Sequence, residues 1–288
     1  MEKFVLGDEA GGLRADIFIT EKYPQFSRSA LKGLFEQERV LANGKPAKAG
    51  YNLRSGDVLE VDDSQLFIQP KSIDLPIVYE DDDVLVINKP PGILTHSKGA
   101  LNLEPTVASF IKTKLNDDSL SGGRAGIVHR LDRGTSGLII GAKNQKSLDH
   151  LQKQFSSRRV KKTYLAVVEG IPNPESAIIN VPISRNPKKP QTFIASSGGK
   201  PARTHYKVLK KRRFRSLVEL IPETGRTHQL RVHMAYIGTP IAGDAVYGRG
   251  NGDIRLHAYK LELSLPSGKA GHFTVPPPKN FEEPLENE

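Results

Sequence analysis

The stretch HRLDRGTSGL, His129 to Leu138, decides how this chain is read. It sets an imidazole, two guanidinium groups and a carboxylate within five residues, then turns through Gly134, Thr135, Ser136 and Gly137 into the apolar run Leu138-Ile139-Ile140. Upstream, Ile127 and Val128 form another apolar run, so the pattern predicts strand, tight charged turn, strand, with Asp132 near the apex. A carboxylate held by backbone on both sides can face a cleft. The ordinary fate of a loop aspartate is a solvated pairing, here with Arg130 or Arg133. The rest of the chain argues for more.

With 288 residues, 37% of them hydrophobic, the chain can bury a full core in one or two domains. The start, MEKFVLGDEAGG, carries acids and no long apolar run, and no stretch has the length needed to cross a bilayer. The expectation is a soluble, cytoplasmic protein that does not engage a membrane. The lack of cysteine removes disulfides, thiolate nucleophiles, cysteine-based zinc sites and iron–sulfur clusters, and fits a reducing compartment. The net charge of +10 is uneven: residues 1–70 hold 9 basic against 11 acidic residues, and the remainder 33 against 21. The densest basic runs are Arg158 to Lys162, Lys188-Lys189, and Lys210 to Arg213 with Arg215. Such clusters suit a polyphosphate backbone.

Residues 13–61 read as a compact module. Leu13 to Tyr23 predicts a short helix with Leu13, Ile17 and Phe18 inward, ended by Pro24. A second helix starts at a Ser27 or Ser29 cap and places Leu31, Leu34 and Phe35 at helical spacing, with Arg28, Lys32 and Arg39 off that set. Val40-Leu41-Ala42, an Asn43-Gly44 turn, a short strand and Asp57 to Val61 complete a small sheet. Two helices followed by a hairpin with NGK and SGDVLEV resemble the S-four type of RNA-binding domain. Arg14-Ala15-Asp16 stands at that family's opening Arg-Leu-Asp, and Ser27-Arg28 at its Ser-Arg. The module's slightly acidic total departs from a strongly basic RNA binder.

Residues 62–76, with Pro70 and Pro76, read as a linker. A new core is expected to begin at Ile77-Val78-Tyr79, turn at Glu80 to Asp83 and return through Val84 to Ile87. Asn88-Lys89-Pro90-Pro91-Gly92 then sets an extended arm that ends at His96. Thr106 caps a helix containing Val107, Phe110, Ile111 and Leu115. Beyond the central turn, Asn144 opens a helix with Leu148, Leu151 and Phe155 on one face, and Lys161 to Val168 is a strand closed by Gly170. Residues 172–201 read as an irregular surface insertion. Arg203 to Leu209 and Phe214 to Ile221 form a hairpin across the basic tip. A helix from His228 to Ile237 turns Leu230, Met234 and Ile237 inward, with Gly238 as its stop. After a loop from Ile241 to Gly248, Leu256 to Leu263 and His272 to Val275 are late strands, and the acidic tail from Pro276 reads as disordered.

Several chemistries fit poorly. His228 and His233 lie five apart, which is not the four-residue spacing that puts two ligands on one helix face, so no metal is expected. Gly134-Thr135-Ser136-Gly137 is not the Gly-x-Ser-x-Gly elbow of serine hydrolases, and no phosphate-binding loop ending in Gly-Lys-Ser/Thr occurs. What remains is an aspartate in a turn, an aromatic strand residue after basic residues (Tyr164), and arginines assigned to a helix (Arg226, Arg231). That set suits a reaction on one nucleobase within RNA. The target nucleotide is extruded, its base stacked on an aromatic ring, and a charged group brought to the sugar–base linkage. A carboxylate beside an arginine stays ionised and can attack carbon or accept a proton without a cofactor.

HRLDRGTSGL, KKTYLAVVEG and TGRTHQLRVHMAYIGTPIAGDAVYG, in that order, resemble the pseudouridine synthases of the RluA family, across residues 13–275. The resemblance implies that Asp132 is the catalytic aspartate and that Tyr164 packs on the target base and assists proton removal from its carbon 5. It implies that Arg231 is the basic partner of Asp132, that Leu230 lines the pocket, and that Arg130 fills space left by the flipped nucleotide. The catalytic set is then Asp132, Tyr164 and Arg231, and the substrate-binding set Arg130, His129, Leu230, Thr135, Arg226 and His228. Gly134 departs from the acid that commonly follows Arg133, and Ala125 from the Pro that commonly precedes Gly126.

The expected protein is α+β: a catalytic domain over 69–288 with a mixed, largely antiparallel sheet, behind a small α/β RNA-binding domain of the S-four type over 1–68. The expected activity isomerises uridine in RNA to pseudouridine, without cofactor or metal, with large-subunit ribosomal RNA as substrate and transfer RNA as the alternative. A non-catalytic RNA-binding or ribosome-assembly factor is the rival, against which the intact Asp132, Tyr164 and Arg231 argue; a glycosylase that releases free uracil is a second. A monomer is expected.

Overall fold

The computed structural model describes residues 1–68, 73–97, 104–116, 120 and 124–286. The chain forms two compact units, Met1–Ile73 with His96–Phe110 and Ser121–Ala125, and Asp74–Thr95 with Ile111–Leu120 and Gly126–Glu288. Among the described residues no helix is long and apolar enough to cross a membrane.

In the first unit, β1 (Glu2–Val5), α1 (Ala15–Lys22), α2 (Arg28–Glu36), β2 (Val40–Ala42), β3 (Lys45–Pro46) and β4 (Val58–Val61) follow in order. The strands form an antiparallel sheet in the order β1-β4-β2-β3. Asn43 and Gly44 both take positive φ, 51° and 77°, the left-handed pair that closes a tight hairpin. Leu31, Leu34 and Phe35 of α2 are buried as their spacing requires, over Ile19, Leu59 and Val61. Three expectations need correction. Phe18 and Ile19 point inward from α1 while Ile17 is half-buried. The opening residues pair as an edge strand with β4, which their acids concealed. The expected linker includes a 3-10 turn, Ser64–Phe67, that buries Leu66; Pro70 lies outside the described residues.

The second unit starts with β5 (Ile77–Glu80) and β6 (Val84–Lys89). Ile77 and Val78 are exposed, so β5 is a sheet edge and the core begins at β6. The helix capped by Thr106, whose Oγ1 accepts the Ser109 N–H, is α3 (Val107–Lys112), which belongs to the first unit through Phe110 and stops short of Leu115. Then come β7 (Ser136–Ala142), α4 (Gln145–Ser156) and β8 (Lys161–Glu169). The expected irregular insertion holds three strands, β9 (Ser176–Asn180), β10 (Ile183–Arg185) and β11 (Phe193–Ala195). They are short and partly solvated, and the sequence hides their alternation: β9 buries Ile179 but also exposes an apolar residue, Ile178. The remaining elements are β12 (Arg203–Lys211), β13 (Arg215–Pro222), α5 (Gln229–Tyr236), β14 (Leu256–Ser264), β15 (Ala270–Thr274) and α6 (Glu283–Glu286).

A nine-stranded sheet runs β5-β6-β7-β14-β8-β13-β12-β9, with β15 on β14; β7 and β14 are its parallel pair. β7 is buried at every residue, as a central strand covered on both faces must be. Gly137, at φ 104°, permits the parallel contact, because a Cβ there would lie 2.3 Å from the Ala258 carbonyl oxygen. The strand expected at Ile127-Val128 shrinks to a bridge from Ile127 to Gly141. Gly126 just before it, at φ 65°, bends the chain away.

Asn144 caps α4, its side chain accepting the Ser147 N–H at 2.9 Å. Leu148, Leu151 and Phe155 pack on Val84, Val86, Leu138, Ile140 and Leu261. On the same sheet face α5 sets Leu230 and Met234 against Ala166, Val168, Val218 and Leu220. The opposite face, with Leu165, Val167 and Leu217, is covered by Phe281 and Leu285. The tail is therefore ordered through α6: Glu283 is exposed, and Glu282 pairs with Lys210 at 3.0 Å.

Candidate active site

A cavity of about 590 Å³ lies between the end of α4 and the start of α5, with β8 beneath it. That volume is in the range of clefts that hold small ligands. Every residue expected at the site lines it: Asp132, Tyr164, Arg231, Arg130, His129, Leu230, Thr135, Arg226 and His228.

Backbone contacts fix the loop that carries Asp132. Buried Thr95 clamps Leu131 twice, its Oγ1 donating to the carbonyl at 2.8 Å and accepting the N–H at 3.1 Å. The Thr135 N–H closes the turn on the Asp132 carbonyl at 3.1 Å. Lys89, wholly buried, donates Nζ hydrogen bonds to the carbonyls of Pro90 (2.9 Å), Ile93 (2.9 Å) and Arg133 (3.1 Å). All three ammonium hydrogens are used, as a buried charge requires. Burial pulls the Lys89 pKa down to about 8, against the upward pull of Asp132.

His129 opens the loop. Its Nε2 accepts the Ile140 N–H at 3.1 Å and its ring stacks on Phe155, with centroids 4.6 Å apart. Burial, then the Lys162 charge, depress its pKa to about 3, so the imidazole is neutral at working pH and ties the loop to β7. Arg130 points from the exposed loop surface into the cavity mouth.

Arg231 comes from the first turn of α5 and is almost fully buried. It holds Asp244 in a two-point pair, Nε to Oδ2 at 2.7 Å and Nη2 to Oδ1 at 2.8 Å. Its remaining Nη1 faces Asp132 Oδ2 at 3.4 Å. Asp244 also accepts the N–H groups of Val246 (2.8 Å) and Tyr247 (3.1 Å). Burial works against both charges. The pairing outweighs it, raising the Arg231 pKa and lowering that of Asp244. Asp132 thus sits beside a cation whose geometry is set by another carboxylate.

Tyr164 and Lys162 alternate on β8 and face the cavity together. Burial, then the charge of Asp132, push the Tyr164 pKa up, so the phenol is protonated at working pH and offers a ring face with a polar tip. Burial lowers the pKa of Lys162. Arg226 precedes α5 instead of lying on it, and its Nε donates to the Pro201 carbonyl at 3.0 Å. His228 is the α5 N-cap residue, at φ 57°. Thr135 is buried at the base of the loop.

The sequence reading missed Asp244, Tyr247, Lys89 and Lys162 as site residues. Asp244 and Tyr247 lie in the loop Ile241 to Gly248. The basic tip of β12 and β13 also differs from expectation: Lys210, Lys211 and Arg215 pair with Glu282, Glu175 and Glu169. The rim of the cavity instead carries Arg130, Arg158, Lys162 and Arg226. Among the described residues, no three His, Asp or Glu converge as a metal site.

The description RNA pseudouridylate synthase matches residues 83–236, which span the loop, β8 and α5. A pseudouridine synthase of Bacillus subtilis (strain 168) is 37% identical, over 97% of this chain and 95% of the relative. The chain belongs to the RNA pseudouridylate synthase family. Within that family the synthase is of the RluA type, an isomerase that converts uridine in RNA to pseudouridine. The ribosomal large subunit pseudouridine synthase D of Borreliella burgdorferi is likewise 37% identical, over 93% of this chain and 87% of the relative. A solved structure, Human RNA Pseudouridylate Synthase Domain Containing 1, matches with TM-score 0.59 and 30% identity, over 73% of this chain and 87% of that one.

Proposed function

We propose that Asp132 starts the isomerisation of a uridine in large-subunit ribosomal RNA. The observation that carries this reading is the Asp132 carboxylate inside the cavity, 3.4 Å from an arginine already fixed by Asp244. A uridine extruded from the RNA enters with its base against Tyr164 and its ribose toward Asp132. Asp132 either attacks carbon 1 of the ribose or removes the proton from carbon 2 to give a glycal. In both routes the bond from N1 to the ribose breaks, the uracil turns, and carbon 5 bonds to the ribose. The carbon 5 proton leaves and N1 ends protonated, and in the glycal route Asp132 returns its proton to carbon 2 of the ribose, so all atoms are kept.

Leu230 walls the pocket, Thr135 and His129 support the loop, and Arg130, Arg226 and His228 meet the RNA or the flipped nucleotide. Ribosomal RNA as substrate rests on the likeness to relatives such as the Borreliella burgdorferi ribosomal large subunit pseudouridine synthase D. Residues 1–68 are proposed as an RNA-binding domain and 69–288 as the catalytic domain. Arg14 and Arg28, both paired with Asp16, are the basic groups placed to take part in the first. The enzyme is proposed to act as a monomer in the cytoplasm.

Pseudouridine mapping of ribosomal and transfer RNA from cells lacking the gene, rescued with wild type or Asp132→Asn, tests this. Loss of sites in large-subunit RNA that only wild type restores is the expected result. Rescue by Asp132→Asn would overturn the role of the carboxylate, and loss confined to transfer RNA the substrate.

A further inference from the structure

Asp132 has a second neighbour besides Arg231. His228 Nε2 lies 3.8 Å from Asp132 Oδ1, on the other oxygen of the carboxylate from the one Arg231 faces. The backbone of His228 is held at φ 57°, a left-handed conformation uncommon for any residue but glycine. Its ring is boxed edge-on by Phe193 and Tyr247, at centroid distances of 5.5 and 5.6 Å.

One tautomer both satisfies these hydrogen bonds and serves Asp132. The Phe193 N–H donates to the Tyr247 hydroxyl at 2.9 Å, and that hydroxyl is 2.8 Å from His228 Nδ1. In that arrangement the Tyr247 oxygen accepts from Phe193 and gives its one hydrogen to Nδ1. The neutral ring then carries its own hydrogen on Nε2, the nitrogen that faces Asp132.

We propose that His228, oriented by Tyr247, is a positioning residue that presents a neutral Nε2–H donor to Oδ1 of Asp132. The inference rests on Asp132 being the reacting carboxylate. At 3.8 Å the two atoms sit just beyond bonding distance, so a small shift on substrate entry brings them together. A neutral donor holds the oxygen in place; a full positive charge there would bind the carboxylate as an ion pair and blunt its reactivity. The groups facing the ring are Asp132 and Arg130 from the loop, Arg231 from α5, and Asp244 and Tyr247 from the segment that follows. Burial, aided by Arg231 and Arg130 and opposed by Asp132 and Asp244, holds the imidazole pKa below its ordinary value.

Three variants test this on a uridine-containing RNA transcript, with Asp132→Asn as the inactive reference. His228→Leu is expected to lower kcat about 10- to 100-fold, the value of one hydrogen bond to a charged group, a larger factor than its effect on the Kd for RNA. His228→Gln, which carries an N–H the same number of bonds from Cβ, should recover part of the loss. Tyr247→Phe removes a bond that only the neutral ring can accept, so the His228 pKa rises and the acid limb of the kcat profile moves to higher pH. Wild-type kcat in His228→Leu, or an unmoved acid limb in Tyr247→Phe, overturns the proposal. Activity in Asp132→Asn would overturn the prior reading instead.

Discussion

Arg231 faces two carboxylates, and the structure predicts that losing one costs stability while losing the other costs turnover. Replacing Asp244 with Ala removes both short bonds to Arg231 and leaves the Val246 and Tyr247 N–H groups without their acceptor. Arg231 is 7% exposed and its contact with Asp132 is 3.4 Å, too long to replace what is lost. Breaking a buried ion pair from one side costs about 3–5 kcal/mol. For a unit of roughly 200 residues each kcal/mol moves the melting temperature by about 2–4 °C, so Asp244→Ala should melt about 6–20 °C lower. Asp132→Asn keeps the Arg231–Asp244 pair and should stay within about 2 °C of wild type. Because the native pKa of Asp244 is depressed, its stabilisation is complete above the unfolded value of about 4 and fades as pH falls through the native one. The gap between wild type and Asp244→Ala should therefore narrow in acid. Scanning calorimetry from neutral pH to pH 3 measures all three. A drop under about 3 °C for Asp244→Ala at neutral pH would refute the assignment of Asp244 as the anchor.

Two other expectations follow from the same packing. Tyr164→Ala takes the ring away from the cavity and should weaken binding of a uridine-containing RNA by about 1–3 kcal/mol, read as Kd by filter binding; an unchanged Kd would remove the ring from base recognition. Deleting residues 276–288 uncovers Leu165, Val167 and Leu217 by removing Phe281 and Leu285, each contributing about 1.5–3 kcal/mol, so urea unfolding should shift to lower concentration. A truncated protein with the wild-type midpoint would show that the tail only rests on the sheet.

The parts of the site legible in the sequence are those where residue type alone narrows the chemistry. Asp132, Tyr164 and Arg231 stand far apart in the chain, yet each sits in a segment whose pattern placed it on a turn, a strand and a helix facing one cleft. Asp244 was not legible, because nothing in GDAVYG tells a buried anchor from a solvated loop acid; its burial depends on α5 arriving from elsewhere. The tail was misread because acids surround Phe281 and Leu285, although their four-residue spacing puts them on one face of a turn. The segment 172–201 was misread because strands of three to five residues at a sheet edge show too little alternation to register. Ile127 failed as a strand because Gly126 turns the chain before a ladder can extend.

Lys89 gives the loop that carries Asp132 a dependency that matters to anyone who would move it. The loop's backbone is fastened by an ammonium from a strand 44 positions earlier, through the same carbonyl, that of Arg133, which the Gly92 N–H also holds. HRLDRG is therefore half of a two-part device, and NKPPG is the other half. A chimera that transplants the loop alone into another scaffold would carry the Asp132 carboxylate without its fastening. A circular permutant or a split enzyme cut between the two segments would work only to the extent that the pieces find each other again. Library designs that randomise one segment should treat the other as its inseparable partner.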